Sequence, residues 1–393
     1  MSEKLRITSI RFRNYKAFTD YSISLGRFNV LVGPNNSGKS TVLDALKILS
    51  EGIRRARSKI PILINDPKGF DAKAHPVILE GLPVSTENVF HDYDESNPAI
   101  IEFRLSNGNG LNLYFPERGQ CFLLPVGESP ARSPSEFKRH FDVDIAFVPT
   151  LGPVEHNERF FRKEAARAAL LTHGASRNFR NIWYHYPDGF AEFRKAIQET
   201  WPGMDIQPTE VIQREDKTIL CMFCPEERFP RKIFWAGFGF QVWCQMLTFI
   251  LQAKNAALLV IDEPDIYLHS DLQRQLVGLL RELVPQIIIA THSAEIISEV
   301  EPQALLNVNK RFRSARHVRD SKELQEVFQI LGSNLNPILT QLAKTRRVVF
   351  VEGKDFQIGM MHRLGIVTQH LLREPLRVVQ ESVSLSGSHC GDR

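Results

Sequence analysis

The sequence predicts an α/β fold with an antiparallel β-meander and a helical insertion, and three observations predict it. Short apolar runs typical of buried strands alternate with helical stretches in the C-terminal half, as parallel crossovers require. A glycine-rich loop joins an apolar strand to a helix near the N-terminus. Three strand-like runs between these regions are separated by short linkers rich in turn residues.

The N-terminal segment contains three short stretches in which apolar and polar residues alternate. The last stretch, Phe28–Val32, is mostly apolar and ends at a glycine, so we expect edge strands that lead to a buried central strand. From Gly38 onward apolar residues recur at helical spacing, which predicts strand, loop and helix in that order; these residues are Val42, Ala45, Leu46 and Leu49.

The rest of the chain is predicted from the same periodicities. The meander strands are expected at 100–105, 111–116 and 121–126, and a mostly helical insertion at about 155–201. Buried strands separated by helical stretches are expected at 257–262, 286–291 and 346–353. With 393 residues, and at about 150 residues per domain, the chain has room for two or three domains.

Composition limits the class of protein. The chain has 43% hydrophobic and 24% charged residues, which is typical of globular proteins. No apolar run reaches the roughly 18 residues of a membrane span, and the N-terminus has no signal-peptide core, so we expect a cytoplasmic protein without a membrane partner. The lone Cys221/Cys224 pair lacks the further ligands that zinc needs, so we expect packing thiols and no zinc. A net charge of +4 is too small to indicate a nucleic-acid partner.

The glycine-rich loop Gly33–Ser40 matches the complete GxxxxGK[ST] pattern and lies between a strand and a helix. Backbone N–H groups from Asn36 to Thr41 can hold phosphates, Lys39 can reach the β- and γ-phosphates, and Ser40 can bind Mg²⁺. The alternative is a glycine-rich turn without a ligand. The sequence therefore predicts ATP and Mg²⁺ as cofactors, and the expected binding residues are Gly33, Asn36, Ser37, Gly38, Lys39, Ser40 and Thr41.

Two strand ends provide candidate groups for hydrolysis. Asp262 and Glu263 follow an apolar run, which places them at the carboxyl end of a parallel strand, where ligands of open α/β sheets bind. Asp262 would hold the metal through water, and Glu263 would polarise the attacking water. His292 follows the next buried strand and can hydrogen-bond to the γ-phosphate or its water. The alternatives are an acidic helix cap and a histidine at a helix start.

These motifs, in this order, resemble the ATP-binding-cassette (ABC) class, and the opening IRFRNYKAF resembles its SMC and RecF-like branch. The resemblance implies that Glu263 is the catalytic glutamate and His292 the switch histidine. It also implies a signature loop from a second protomer, for which Gly237, Gly239 and Gln241 are the candidates, although no serine precedes the glycines. The alternative for these glycines is close backbone packing.

The resemblance also implies a switch loop that carries a glutamine. No such glutamine can be assigned, and Val148–Thr150 with Glu155 lies where the family places this loop. Because one phosphate loop provides half of an ABC site, we expect a homodimer or a higher homo-oligomer.

A second motif lies near the C-terminus. In the run Val348–Asp355, Glu352 and Gly353 lie at the end of a predicted strand. The run resembles the first motif of the TOPRIM fold, and the resemblance implies that Glu352 is a catalytic metal ligand. A helix-capping Glu-Gly pair is the alternative. An ABC-type ATPase followed by TOPRIM is the arrangement of the OLD family (overcoming lysogenization defect), whose members are ATP-controlled DNA nucleases linked to defence against phage.

The chain departs from the TOPRIM pattern after Glu352. Metal-dependent phosphodiester cleavage needs several carboxylates, but no DxD follows, and the later aspartates are Asp355 and Asp392. We therefore expect either a fragment or a naturally shortened protein that has lost cleavage. The expected domains are an ABC-type ATPase domain at 1–345 and a partial TOPRIM domain at 346–393.

Two groups of basic residues could contact DNA. One follows the phosphate-loop helix at 54–59, and the other lies in the helical insertion among aromatic residues. Such a stripe can grip a phosphate backbone, although a solvated helix face is the usual cause. The basic residues of the second group are Arg159, Arg162, Lys163, Arg167, Arg177 and Arg180.

The sequence thus predicts an OLD-like ATPase that controls DNA processing in antiviral defence. One alternative is a nucleotide-dependent scaffold or switch whose effector chemistry lies in a defence partner protein. Another is the energy subunit of a membrane transporter, which the poor signature loop and the RecF-like opening disfavour.

Overall fold

A computed structural model describes residues 4–330, apart from 83, 86–88, 129–130, 170–177, 215–216, 227–228, 284 and 320. The predicted strand at 346–353, the partial TOPRIM domain at 346–393, Glu352 and the expected boundary after residue 345 all lie outside the described residues. The α-helices of the described part are α1 (Lys39–Ala56), α2 (Pro134–His140), α3 (Lys163–Ala169), α4 (Phe179–His185), α5 (Phe190–Thr200), α6 (Phe238–Gln252), α7 (Ser270–Leu283), α8 (Ala294–Glu299) and α9 (Ser321–Ile330).

The strands form two large and two small sheets. The first eight strands are β1 (Ile7–Tyr15), β2 (Phe18–Ser24), β3 (Phe28–Val32), β4 (Ile62–Asn65), β5 (Asp71–Pro76), β6 (Ala99–Leu105), β7 (Gly110–Phe115) and β8 (Phe122–Val126). The others are β9 (Ile145–Val148), β10 (Glu158–Arg159), β11 (Glu210–Arg214), β12 (Lys217–Cys221), β13 (Phe223–Glu226), β14 (Phe229–Lys232), β15 (Leu258–Asp262), β16 (Gln286–Ala290), β17 (Leu305–Asn307) and β18 (Arg316–His317).

The sheet that carries the phosphate loop has the order β18-β17-β3-β16-β15-β9. Its strands are parallel except for β18, which pairs antiparallel with β17. Every residue of β16 is buried, as expected for a central parallel strand. The predicted buried strands at 257–262 and 286–291 are confirmed, and they lie side by side next to β3.

The second large sheet has the order β2-β1-β6-β7-β8-β5-β4 and is antiparallel throughout. The predicted meander is confirmed as β6, β7 and β8. Strand β3 lies inside the parallel sheet, whereas β1 and β2 join the meander sheet, in which β2 is an edge strand. Their alternation buries one face, which includes Ile10 and Phe12, and such one-sided burial suits an antiparallel sheet.

Helix α1 lies between the two large sheets. Apolar side chains of α1, of the antiparallel sheet and of one face of the parallel sheet form a single core, to which the parallel sheet contributes Leu31, Val260 and Ile288. The alternate residues of the same strands, such as Val30, Ile261 and Ile289, face a second core with α6, α7 and the insertion. The fold therefore fixes α1 and the loop before it from both sides.

The insertion packs against α6. It contains β10 and helices α3, α4 and α5, and β10 pairs with β12. Trp183 of α4 is buried and donates from its indole nitrogen to Oγ1 of Thr248 in α6 at 2.8 Å. Cys221 and Cys224, expected as packing thiols, are both buried. Among the described helices, none is both long and apolar enough to cross a membrane.

Candidate nucleotide site

The phosphate loop follows β3 directly and ends where α1 begins at Lys39. Two of its glycines are required by close contacts. Gly33 has a φ of 151°, and a Cβ there would lie 2.4 Å from the carbonyl oxygen of Val308. Gly38 has a φ of 111°, and a Cβ there would lie 2.3 Å from Cζ of Phe18. Phe18 of β2 and Val308, which follows β17, therefore pack directly against the loop. A side chain larger than that of glycine at position 33 or 38 would displace the loop.

Lys39 is held inside the loop. Its side chain is 7% exposed, and Nζ donates to the carbonyl oxygens of Gly33 at 2.8 Å and Pro34 at 3.3 Å. Burial lowers the pKa of Lys39, while the carboxylates of Glu263 and Asp262 raise it. The ammonium group is thus partly desolvated and faces two acids, an arrangement that a phosphate anion would stabilise.

The remaining loop residues fit a phosphate ligand. Asn36 has a positive φ of 62° and is exposed. The hydroxyl of Ser37 is buried, and it has no hydrogen-bond partner among the described residues. Ser40 is exposed at the first turn of α1, whereas Thr41 is buried. The buried Ser37 hydroxyl can therefore bind a phosphate oxygen, beside the backbone N–H groups that a helix start offers to an anion.

Two acids end β15 beside this loop. Asp262 is the last residue of β15, and Glu263 follows with a φ of 45°, which is unusual for a non-glycine residue. The backbone N–H of Glu263 donates to the carbonyl oxygen of Ala290 at 2.9 Å, which fixes this turn to β16. The pKa of Glu263 is raised to about 7, mainly by burial and then by the charges of Asp265 and Asp262, while the charge of Lys39 lowers it.

His292 lies at the same sheet edge, after β16. Its Nε2 is 3.6 Å from Oε1 of Glu263. Burial lowers the pKa of His292, and the positive charge of Lys39 lowers it further. Ser293 starts α8 by accepting a hydrogen bond at Oγ from the backbone N–H of Ile296 at 3.2 Å. The structure thus brings Lys39, Glu263 and His292 together, and it places a carboxyl group with a pKa of about 7 beside an imidazole whose neutral form is favoured.

Sequence reasoning missed a third carboxylate in this cluster. Oδ1 of Asp265 accepts a hydrogen bond from Oγ1 of Thr291 at 2.5 Å. Thr291 Oγ1 in turn accepts from the backbone N–H of Ser293 at 2.9 Å. This link joins the segment after β15 to the segment after β16 and thereby positions Glu263 against His292. The sequence shows that Asp265 lies two residues after Glu263, but it does not show the contact with Thr291, which is 26 residues away.

The glycines of the expected signature loop lie at the start of α6. Gly237 immediately precedes the helix, and the space where its Cβ would lie is open. A Cβ on Gly239 would lie 3.1 Å from the carbonyl oxygen of Tyr267, so this glycine permits close backbone packing. Trp235 and Phe238 are exposed beside these glycines. The loop thus presents an open glycine between two solvent-facing aromatic rings.

Gln241, the third residue expected in the signature loop, points into the chain. Its side chain is buried, and Oε1 accepts from the backbone N–H of Val154 at 2.9 Å. Its Nε2 donates to the carbonyl oxygens of Phe234 at 3.0 Å and Ala236 at 2.7 Å. The Gln241 amide therefore ties the start of α6 to the segment that follows β9 and is engaged within the protomer.

The other expected switch begins at the end of β9. Val148 pairs with Ile261 of β15, so the segment that follows leaves the parallel sheet at the same edge as Asp262. Thr150 and Glu155 are both exposed.

The basic group in the insertion does not form one exposed stripe. Arg180 is 1% exposed, and its N–H groups lie against the carbonyl oxygen of Glu155 at 2.8 Å and the carboxylate of Glu158 at 3.9 Å. The prediction that Arg180 contacts DNA is therefore wrong. Arg159, Arg162 and Lys163 are exposed, as expected. Arg177 lies outside the described residues.

Acidic neighbours neutralise part of the other basic group, at 54–59, which begins in the last turn of α1. Arg57 is 2.6 Å from Asp142 and 3.1 Å from Asp144, and Arg54 is 2.7 Å from Glu51. These ion pairs make this group a weaker candidate for phosphate contacts than the exposed residues of the insertion.

Three known proteins are similar to this chain. The Old nuclease of Escherichia phage P2 is 24% identical over 415 residues, which covers 89% of this chain and 68% of the phage protein, and the predicted OLD resemblance is confirmed. The SMC head domain from Thermotoga maritima has a TM-score of 0.45 at 14% identity, covering 80% of this chain and 100% of that domain. The recombination mediator RecF has a TM-score of 0.49 at 10% identity, covering 81% of this chain and 99% of RecF.

A family model matches residues 28–298, which include the phosphate loop, both acids and His292. The matched segment begins with β3 and ends within α8, so it spans the strands whose ends form the site. The chain therefore carries a P-loop ATPase domain, and it belongs to the family described as AAA domain, putative AbiEii toxin, Type IV TA system.

Proposed function

We propose that this protein binds ATP with Mg²⁺, hydrolyses the ATP, and uses this turnover to control DNA processing in antiphage defence in the cytoplasm. The observation that carries the proposal is the convergence of Lys39, Glu263 and His292 at one sheet edge beside the phosphate loop. The similarity to a phage nuclease named Old supports the DNA part of the proposal.

The residues present fit the nucleotide. Backbone N–H groups of residues 36–41 hold the phosphates, Lys39 faces the β- and γ-phosphates, and Ser40 and Asp262 bind Mg²⁺. The unpartnered Ser37 hydroxyl and the desolvated Lys39 ammonium are the structural observations behind this fit. Bound Mg²⁺ neutralises the charge on the phosphate oxygens.

The chain's own groups account for the proton transfer in hydrolysis. The Glu263 carboxylate takes a proton from the water, which its pKa of about 7 permits near neutral pH. His292 orients the γ-phosphate or the water from the next strand end, with Nε2 3.6 Å from the glutamate. Asp265 and Thr291 hold the two segments in register.

The proposed unit is a homodimer or a higher homo-oligomer. The Gly237 loop of one protomer faces the nucleotide of its partner, and the contact runs through backbone N–H groups, because the Gln241 side chain is engaged within the protomer. Glu352 would supply one carboxylate of a metal site for DNA cleavage, and a defence partner protein would supply effector chemistry where cleavage is lost.

Steady-state ATP hydrolysis by the full chain tests the proposal. Glu263→Gln should lower turnover by about a hundredfold or more while Mg²⁺-ATP still binds, because the general base is lost and the loop stays intact. Glu128→Gln replaces an exposed glutamate elsewhere and should leave turnover unchanged. Unaltered turnover in Glu263→Gln would reject the assigned base. If the wild-type chain cleaves or binds DNA equally well with and without ATP, the proposal that ATP turnover controls DNA processing is rejected.

A further inference from the structure

Gln273 of α7 has a buried amide that connects two segments of the nucleotide site. The residue is 9% exposed and lies between residues 263–269, which follow β15, and residues 291–293, which follow β16. Its Nε2 donates to the carbonyl oxygen of Leu268 at 2.7 Å, and its Oε1 accepts from Oγ of Ser293 at 2.5 Å. We propose that Gln273 is a positioning residue for ATP hydrolysis, which holds the segment of Glu263 against the segment of His292; this inference rests on the proposed function.

The partners fix the direction of these hydrogen bonds. Oγ of Ser293 accepts from the backbone N–H of Ile296 at 3.2 Å, so its own proton is available for Oε1 of Gln273. The carbonyl oxygen of Leu268 only accepts, so it requires a donor, which the amide nitrogen supplies. An amide meets both requirements at once, whereas a carboxylate or an apolar side chain of similar size does not.

Packing alone does not explain an amide at this position. The other buried residues described in α7 are apolar and belong to the core with α6 and the insertion; they are Leu272, Leu276, Val277 and Leu280. Removing an amide from water costs free energy unless the amide is hydrogen-bonded, whereas burial favours an apolar side chain. The Gln273 amide is therefore accounted for by the two segments that it links, and not by the core.

The segment after β15 needs this support because its backbone is strained. Glu263 and Tyr267 have φ values of 45° and 66°, which non-glycine residues rarely adopt. Such conformations persist where the surrounding structure fixes them. The Asp265 carboxylate fixes the middle of the segment by its hydrogen bond to the segment after β16. Gln273 fixes the end of the segment at Leu268, and its Nε2 also donates to the carbonyl oxygen of Asp265 at 3.4 Å.

Both links end beside His292. The carboxylate link ends at Thr291, the residue before His292, and the Gln273 link ends at Ser293, the residue after it. The segment after β16 is thus restrained on both sides of His292, which keeps Nε2 of the imidazole 3.6 Å from Oε1 of Glu263. Loss of the Gln273 link would release one of these restraints, and misplacement of a reacting group by about 1 Å can lower a rate by about a hundredfold.

Steady-state ATP hydrolysis and Mg²⁺-ATP binding by the full chain separate positioning from nucleotide binding. Gln273→Met keeps the length of the side chain and removes its hydrogen bonds, so it should lower kcat by about tenfold or more. Affinity for Mg²⁺-ATP should stay within about twofold, because Lys39 and the phosphate loop are unchanged. Gln275→Met makes the same change at an exposed position of α7 and should alter neither quantity.

A chain without the general base tests whether Gln273 acts through Glu263. In the Glu263→Gln background, Gln273→Met should change the residual turnover by less than about twofold, because no base remains to be positioned. Gln273→Glu is a second variant, which keeps the acceptor for Ser293 and replaces the donor to Leu268 with an acceptor. It should lower kcat as Gln273→Met does, and denaturant unfolding of each variant checks that it folds.

The outcomes distinguish this inference from the proposed function. Wild-type kcat in a folded Gln273→Met or Gln273→Glu variant would overturn the positioning role and leave the proposed function intact. An equal fold loss with and without Glu263, or loss of the cooperative unfolding transition in both variants, would make Gln273 a residue of the fold alone and would also overturn it. Failure of the wild-type chain to hydrolyse ATP would reject the proposed function and this inference together.

Discussion

The sheet-edge site and the basic insertion both carry charged residues, but only the first could be predicted residue by residue. At the sheet edge, Lys39, Glu263 and His292 each follow a strand of known direction, so their convergence follows from the order of the strands. In the insertion, charge spacing along the chain gave no such constraint. Sequence position thus predicts a site where the backbone topology places the residues, and not where tertiary packing decides which of them are exposed.

Arg180 shows how packing decides. Its side chain is buried within the insertion. The Glu158 carboxylate lies at the start of α4, where it accepts from the backbone N–H groups of Arg180 at 3.1 Å and Asn181 at 2.7 Å. Asn181 adds a side-chain hydrogen bond to the same carboxylate at 2.8 Å. A residue that looked like part of a DNA-binding stripe is therefore a structural element of the insertion.

The largest expected effect separates the two regions through Glu158. Glu158→Ala should lower the free energy of unfolding by about 3–5 kcal/mol, because the buried Arg180 guanidinium keeps the Glu155 carbonyl oxygen but loses its counter-charge, and two backbone N–H groups lose their acceptor. Denaturant unfolding followed by tryptophan fluorescence measures this loss. Glu164→Ala, at an exposed position in the same insertion, should stay close to wild type. A small effect of Glu158→Ala would show that the pair is not structural.

At the sheet edge, Lys39→Ala should lower ligand affinity and leave stability nearly unchanged. Affinity for Mg²⁺-ATP should fall by about a hundredfold or more, because the charge that faces the β- and γ-phosphates is removed. The free energy of unfolding should change little, because burial already disfavours the charged ammonium in the free chain. Titration calorimetry and denaturant unfolding of the same variant test both statements. Wild-type ATP affinity in Lys39→Ala would contradict the assignment of the site.

The same contrast explains which parts of the fold could be predicted. The strand–loop–helix unit, the meander and the strands β15 and β16 follow from local periodicity and turn residues. The placement of β1 and β2 in a different sheet from β3 could not be predicted, because alternation of apolar and polar residues identifies a strand but not the sheet that it joins. Asp265 was missed because its role depends on Thr291, a contact across 26 residues.

A buried histidine in the antiparallel sheet, His75, should have a smaller effect, on the pH dependence of stability. No sequence motif indicates this effect. Both ring nitrogens of His75 lack hydrogen-bond partners among the described residues, and its ring meets Phe137 edge-on at 5.7 Å. Burial lowers the pKa of His75 from 6.5 to about 4. Between pH 6.5 and pH 4 the unfolded chain therefore binds a proton at His75, whereas the folded chain does not. The contribution of His75 to the free energy of unfolding is fully present above pH 6.5 and is lost as the pH falls toward 4.

His75→Leu should remove about 1–3 kcal/mol of this acid destabilisation, in line with roughly 1.4 kcal/mol per pKa unit. The free energy of unfolding measured from pH 7 to pH 4.5 should therefore fall less steeply in His75→Leu than in the wild-type chain. His269→Leu replaces a histidine whose side chain is exposed and should keep the wild-type slope. Parallel curves for all three proteins would place the pH dependence in other groups.

The smallest effect concerns DNA. Of the predicted basic group in the insertion, Arg159 and Arg162 are the exposed arginines whose side chains the structure describes. If each neutralises a phosphate, each contributes about 0.9 to the slope of log affinity against log salt concentration. Replacing both with glutamine should therefore lower that slope by about two, without changing ATP affinity at Lys39. Sequence preference should stay slight, because these contacts reach the backbone and not the base edges.

The matched control for this pair is Arg54→Gln with Arg57→Gln, because acidic neighbours already pair these two arginines within the chain. Their replacement should leave the salt slope nearly unchanged, although it removes the same formal charge. Equal slopes for both double variants would mean that overall charge, and not the surface of the insertion, determines the binding. An unaltered slope in Arg159→Gln with Arg162→Gln would assign these arginines to a solvated face, and the DNA contact would then have to lie elsewhere.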